Sequence, residues 1–156
     1  MNYWLMKSEP SEVSVEDVLA RPRQEVDWFG VRNYQVRNFM MRDMQVGDGV
    51  LFYHSSCPQP GIVGLAEVSH AALPDETQFD PASGYFDPKA TREKPRWLCV
   101  GVRVIRKTKL LSLQALRQHP DLMQMPLLAR GNRLSITPVS AQQWAVIQTL
   151  LQEASD

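Results

Sequence analysis

Apolar residues fall in short blocks along this chain, and the spacing inside each block names its element. Residues 3–6 form a short apolar stretch that reads as a strand. Residues 49–54 (GVLFYH) and 61–68 (GIVGLAEV) are apolar runs around a turn with Pro58 and Pro60, which predicts a hairpin. Residues 97–105 (WLCVGVRVI) set Val100, Val102 and Val104 against Gly101, Arg103 and Ile105, the two-residue period of a half-buried strand. Residues 133–137 (RLSIT) are a last short strand. Helices are interleaved with these strands. Ser14 with Asp17 three positions on is a capping pattern that opens a helix to about residue 20. Val36, Phe39 and Met40 have helical spacing within 33–41, and residues 113–118 form a short helix stopped by Pro120. Ser140 with Gln143 caps a final helix whose Trp144, Ile147, Leu150 and Leu151 form one apolar stripe. The turn-rich stretch 71–96 holds five of the punctuating residues, Pro74, Pro81, Gly84, Pro88 and Pro95. Its Phe79, Tyr85 and Phe86 predict an ordered loop packed on the body, and long loops in compact domains are usually functional.

Short strands with short helices between them argue α+β. The strands are too few and too varied for a doubly wound parallel sheet, so a small, mixed, partly closed barrel with flanking helices fits better. The 156 residues suit one domain, read here as residues 1–156. The hydrophobic share of 44% and charged share of 22% exclude disorder and coiled coil. No apolar run approaches the roughly 20 residues of a membrane helix, and the N-terminus is charged too soon for a signal peptide. Two cysteines, Cys57 and Cys99, are too few for a disulfide framework, which points to a reducing, cytoplasmic compartment.

Net charge is zero, yet its distribution is uneven. Residues 57–88 carry no basic and five acidic side chains, while residues 89–133 carry eleven basic and two acidic ones. A neutral chain with such a basic block can present a positive face to a phosphate backbone; solvated strand and loop positions are the other reading.

Catalytic motifs are missing. The sequence has no GxSxG, P-loop, GxGxxG, HExxH or CxxC pattern, and His54, His70 and His119 have no metal-ligand spacing. No metal and no cofactor are expected. What stands out is three segments that combine aromatics with uncharged donors: residues 3–10 (YWLMKSEP), 28–34 (WFGVRNY) and 52–56 (FYHSS). An aromatic face suits a planar ring, worth about 1–3 kcal/mol per stacked base, and Asn and Ser suit its hydrogen-bonding edge. The same residues would also serve as core aromatics (Trp4, Trp28, Tyr53) and a helix cap (Asn33).

The runs YWLMKSEP (3–10), WFGVRNYQVRNFMMRDMQVGD (28–48), FYHSS (52–56), GIVGLAEV (61–68), PRW (95–97) and GNRLSITPVS (131–140) together resemble the EVE domain family over essentially the whole chain. The resemblance implies a PUA-like fold, a small bent mixed β-barrel with flanking helices. It implies a non-enzymatic reader of modified nucleobases, such as a modified cytosine, in DNA or RNA. The implied pocket falls on Trp28, Asn33, Tyr53, His54 and Ser55, with Lys7 and Ser8 from the first strand exit. Trp97 and the segment from Arg133 to Ser135 would close the other side. Trp28 would stack, Asn33, Ser8 and Ser55 would read the base edge, and Lys7 would meet a phosphate or carbonyl. Arg130 and Arg133, with members of the set Arg92, Lys94, Arg96, Arg103, Arg106, Lys107 and Lys109, would hold the nucleic-acid backbone. A monomer or weak dimer is expected. A small-molecule or nucleoside binder, an enzyme using the same pocket, and a protein-docking module built on 71–96 remain alternatives.

Overall fold

The structure, a computed structural model, describes residues 1–155, with side chains through 153. Six strands form one sheet: β1 (Tyr3–Ser8), β2 (Glu25–Asp27), β3 (Gly49–His54), β4 (Gly61–Pro74), β5 (Leu98–Ser112) and β6 (Ile136–Val139), in the order β2-β5-β4-β3-β1-β6. Only β1 and β3 run parallel; β4 and β5 are long and antiparallel, with several register irregularities along their ladder. Such irregularities add local bend and twist to a strand pair. The sheet is open where a barrel was expected. Its edge strands, β2 and β6, are three and four residues long, and the order ends on them. Val26 and Ile136 from those two edges nevertheless lie in one core cluster, so the sheet bends until its edges share an interior.

Both sheet faces are buried, and alternation sorts the residues between them. Trp4, Met6, Val50 and Phe52 enter one core, and Leu5, Leu51 and Tyr53 the other. This is why GVLFYH reads as a continuous apolar run: a strand covered on both sides has no polar face to alternate with. The second core is closed by Ile147 and Leu151 of α4 (Ala141–Ser155). That helix carries the expected capping box, with Ser140 N–H donating to Gln143 Oε1 at 2.9 Å and Gln143 N–H to Ser140 Oγ at 3.1 Å. Gly49 lets the Trp144 and Tyr3 rings pack against the strand, because a Cβ there would lie 2.7 Å from the indole. The first core is covered by α1 (Val15–Leu19) and α2 (Tyr34–Asn38). The α1 capping box of Ser14 and Asp17 is present, and α2 runs on into a wider turn closed by Met44 N–H to Phe39 O at 2.9 Å. A short α3 (Leu113–Arg117) follows β5.

Candidate functional site

A cavity of about 440 Å³ opens beside the two free sheet edges. One wall is Val26, Asp27 and Trp28 at the end of β2, and the facing wall is Asn132, Arg133 and Ser135 on the approach to β6. Its floor comes from the strand exits. The Ser55 N–H donates to Ser8 O at 3.0 Å and the Lys7 N–H to Ser135 O at 2.8 Å, so three separate chain stretches are tied together where β1 ends. The size falls within the roughly 300–1,000 Å³ of sites that enclose a small molecule.

Six of the ten expected pocket residues line this cavity: Lys7, Ser8, Trp28, Ser55, Arg133 and Ser135. The Ser8 hydroxyl donates to Val13 O at 2.6 Å, which leaves its lone pairs as acceptors. Half-burial pushes the Lys7 ammonium below the usual lysine range, and it has no ion-pair partner among the described residues. Trp28 is only 7% exposed and meets Phe52 edge-on at 5.3 Å, so it offers far less open ring face than a stacking platform needs. Its indole N–H, unlike those of Trp4 (to Asp48) and Trp97 (to Asp87), has no protein acceptor among the described residues.

The other four lie elsewhere, each for a local reason. Tyr53 is the sequence neighbour of Phe52 on a strand and therefore faces the opposite core. The His54 Nε2 accepts from Val15 N–H at 3.1 Å, completing the start of α1, and burial pushes its pKa down. Asn33 caps α2, its Oδ1 accepting from Val36 N–H at 3.0 Å, and lines a neighbouring groove instead. Trp97 is buried, stacked on Tyr34 at 4.8 Å, and donates its indole N–H to Asp87 at 2.8 Å.

Several cavity residues are not among the ten expected ones. Glu9 and Glu12 flank Pro10 just past the first strand, and Tyr85 reaches in from the long loop. The Tyr85 hydroxyl donates to Glu12 Oε2 at 2.8 Å across the cavity. Burial first, then the Glu12 bond and charge, push its pKa up to about 12, so it stays a donor. A signal for these residues existed: acidic side chains at a proline-marked strand exit, and an aromatic in a loop too long to be mere connection.

The loop that brings Tyr85 is held by two buried polar side chains. Asp75, 1% exposed, accepts from Gly30 N–H (2.8 Å), Arg32 Nη1 (3.2 Å), Thr77 N–H (2.9 Å) and Thr77 Oγ1 (2.6 Å). Gln78, fully buried, donates to the carbonyls of Asp75 and Trp97 and accepts from the N–H groups of Arg96 and Trp97, all at 2.7–2.9 Å. Arg32 also donates to Tyr85 O at 2.6 Å. Gly30 has φ +85°, and a Cβ there would sit 2.8 Å from the Tyr85 ring, so glycine permits both the turn and the ring's position.

Charge is arranged differently from a single positive face. Arg103 pairs with Glu67, Arg92 with Glu76, and Arg96 with Asp87, so the acidic stretch is matched with three of the eleven basic side chains of the block beside it. Of the expected backbone-binding residues, Arg92, Arg96, Arg103 and, through Glu16, Lys107 are spoken for, whereas Lys94, Arg106, Lys109, Arg130 and Arg133 have no ion-pair partner among the described residues. Arg130 lines the groove next to the cavity. Among the described residues no helix is long and apolar enough to cross a membrane, and no three potential metal ligands are gathered.

Asp27, on the cavity wall, also binds His70. The His70 Nε2 lies 2.7 Å from Asp27 Oδ1 and Nδ1 lies 2.7 Å from Ala71 O. Two oxygen acceptors are satisfied together only by the imidazolium. Burial lowers its pKa, but the bonds to Asp27 and Ala71 and the nearby carboxylates outweigh it and raise the group above 6.5. A raised folded pKa gives stability that is complete below the unfolded value and lost as pH rises through the folded one. The His70 contribution to stability in urea, read as the difference between wild type and His70→Gln, should therefore fall slightly from about pH 6 to about pH 8, by less than ~1 kcal/mol because Asp27 is mostly exposed; His54, whose pKa burial lowers, contributes in the opposite sense to both proteins. The His70→Gln variant should lack this component, and parallel pH profiles for the two proteins would refute it.

The chain's relatives share this architecture throughout. The EVE domain model matches residues 2–150. Thymocyte nuclear protein 1 of Mus musculus is 40% identical over 167 aligned residues, covering 96% of this chain and 73% of that protein. A crystal structure of a Pseudomonas putida protein is 51% identical with a TM-score of 0.89, covering 95% of this chain and 98% of that one. Human THYN1 protein, solved in complex with 5-methylcytosine containing DNA, superposes with a TM-score of 0.90 at 36% identity, covering 97% of this chain and 98% of that one. With matching sequence from end to end and the same fold around it, the chain is a member of the EVE domain family.

Proposed function

We propose that this chain binds nucleic acid by taking a modified base, a modified cytosine foremost, into the cavity beside the sheet edges. The observation that carries the reading is a ring-sized cavity whose wall offers an indole N–H without a protein acceptor, backed by the DNA complex of a relative with the same fold. Acceptors at Ser8, Glu9 and Glu12 suit an exocyclic amine, and donors at Trp28 and Lys7 suit a ring carbonyl. The bent, open sheet is read as an incomplete PUA-like barrel whose unclosed side is the base's entrance. DNA or RNA as the host strand, a cytoplasmic setting and a monomer or weak dimer belong to the same proposal.

Fluorescence anisotropy with matched oligonucleotides, one carrying 5-methylcytosine and one plain cytosine, tests it. One buried methyl is worth about 0.8 kcal/mol, so the methylated strand should bind about fourfold tighter. Equal affinities would overturn the reading. Thermal stabilisation by a free nucleoside, with no oligonucleotide binding, would replace it by a small-molecule site.

A further inference from the structure

We propose that the groove formed by Asn33, Arg130 and Arg133 seats a backbone phosphate of the strand whose base occupies the neighbouring cavity. The inference rests on the base-binding reading for the identity of the strand, and on independent features for the seat itself. The groove and the cavity share Asn132 and Arg133, so a group in one lies next to a group in the other. Arg130 and Arg133 have no ion-pair partner among the described residues, while Arg92, Arg96, Arg103 and Lys107 of the same basic block are each matched with a carboxylate.

The turn that presents them is fixed from within. The Asn132 Nδ2 donates to Pro126 O at 2.7 Å, its Oδ1 accepts from Leu134 N–H at 2.9 Å, and its own N–H donates to Ala129 O at 3.1 Å. Gly131 adopts φ +79° with nothing within 4 Å of where a Cβ would stand, so the middle of the turn is open to a guest. Across the groove, Asn33 spends its oxygen on capping α2, and its amide nitrogen has no protein acceptor among the described residues. Two arginines and the free amide N–H₂ of Asn33 line one groove, so its side chains offer N–H donors and positive charge, the chemistry that holds a phosphate. The seat thereby gives Asn33 a role at the strand's backbone in place of the base.

Salt dependence separates this seat from the cavity. Wild type, Arg130→Gln, Arg133→Gln and Asn33→Ser are compared by anisotropy with the 5-methylcytosine and cytosine strands over a salt series; serine keeps the helix cap and lacks the amide donor. Each arginine variant should bind both strands roughly three- to tenfold more weakly and lower the slope of log K against log salt by about 0.7–0.9. Asn33→Ser should weaken both strands by a smaller, equal factor. The ratio between the strands should stay at its wild-type value in Arg130→Gln and Asn33→Ser, whose residues line the groove and not the cavity. Unchanged slopes in both arginine variants overturn the phosphate seat, as does a loss in Arg130→Gln confined to the methylated strand. A wild type that binds both strands equally overturns the base reading, while the slopes still decide the seat. A wild type that binds neither strand overturns both.

Discussion

Replacing Asp75 with alanine should cost the protein about 3 kcal/mol of stability and most of its ligand affinity. Its carboxylate is fully enclosed and accepts four hydrogen bonds. Removing it strands the Gly30 and Thr77 N–H groups and leaves the Arg32 guanidinium without its ion pair, and an unpaired buried donor costs about 1–3 kcal/mol each. Arg32 is partly exposed, so water relieves some of that cost and holds the total near the lower end of the range for broken buried ion pairs. The damage reaches the cavity because Arg32 also carries Tyr85 O, and Gly30 backs the Tyr85 ring. Asp75→Asn should recover less than half the loss, since one of its two terminal atoms becomes a donor facing donors. Urea denaturation gives the stability change, and limited proteolysis within 80–94 reports release of the loop. An alanine variant within about 0.5 kcal/mol of wild type would show that the carboxylate does not hold this region.

Trp28 separates packing from recognition. Trp28→Ala empties a site that is more than nine-tenths buried against Phe52 and should lower stability by about 3–5 kcal/mol, a fall in Tm on the order of 10 °C. Any binding defect in that variant is confounded with unfolding. Trp28→Phe keeps an aromatic edge on Phe52 and removes the indole N–H that has no protein acceptor. It should hold its fold with a Tm loss of only a few degrees and bind the methylated strand about tenfold more weakly, in keeping with one lost buried hydrogen bond to the ligand. Full affinity in a well-folded Trp28→Phe protein would remove the indole from recognition and leave it as core.

The parts of the fold that were legible in the sequence are those where one local rule dominates. The capping boxes at Ser14 and Ser140 and the apolar run of β3 each point to a single element, and each forms where expected. The three-residue β2 is too short to show a period, and β4 and β5 run past their apolar patterns because mutual pairing, not burial, sustains their outer ends. The cavity was half legible. Residues at strand exits converge as expected, since a strand's end fixes where its last side chains go. Tyr53 did not, although its adjacency to Phe52 already forbids one shared face. Glu12 and Tyr85, 73 residues apart, are joined by tertiary folding alone, and no window of sequence contains both. The separate acidic and basic blocks of the sequence are in part each other's counterions, which a tally of charges cannot reveal.

The long loop between β4 and β5 is pinched at its neck. A single side-chain amide, that of Gln78, ties the outgoing carbonyl of Asp75 to the returning backbone at Arg96 and Trp97. A closed neck makes the excursion a cassette: residues between 79 and 94 can be lengthened, shortened or exchanged without re-registering a strand. Tyr85 rides inside that cassette, so altered ligand preference can be grafted by loop exchange while the sheet stays as it is.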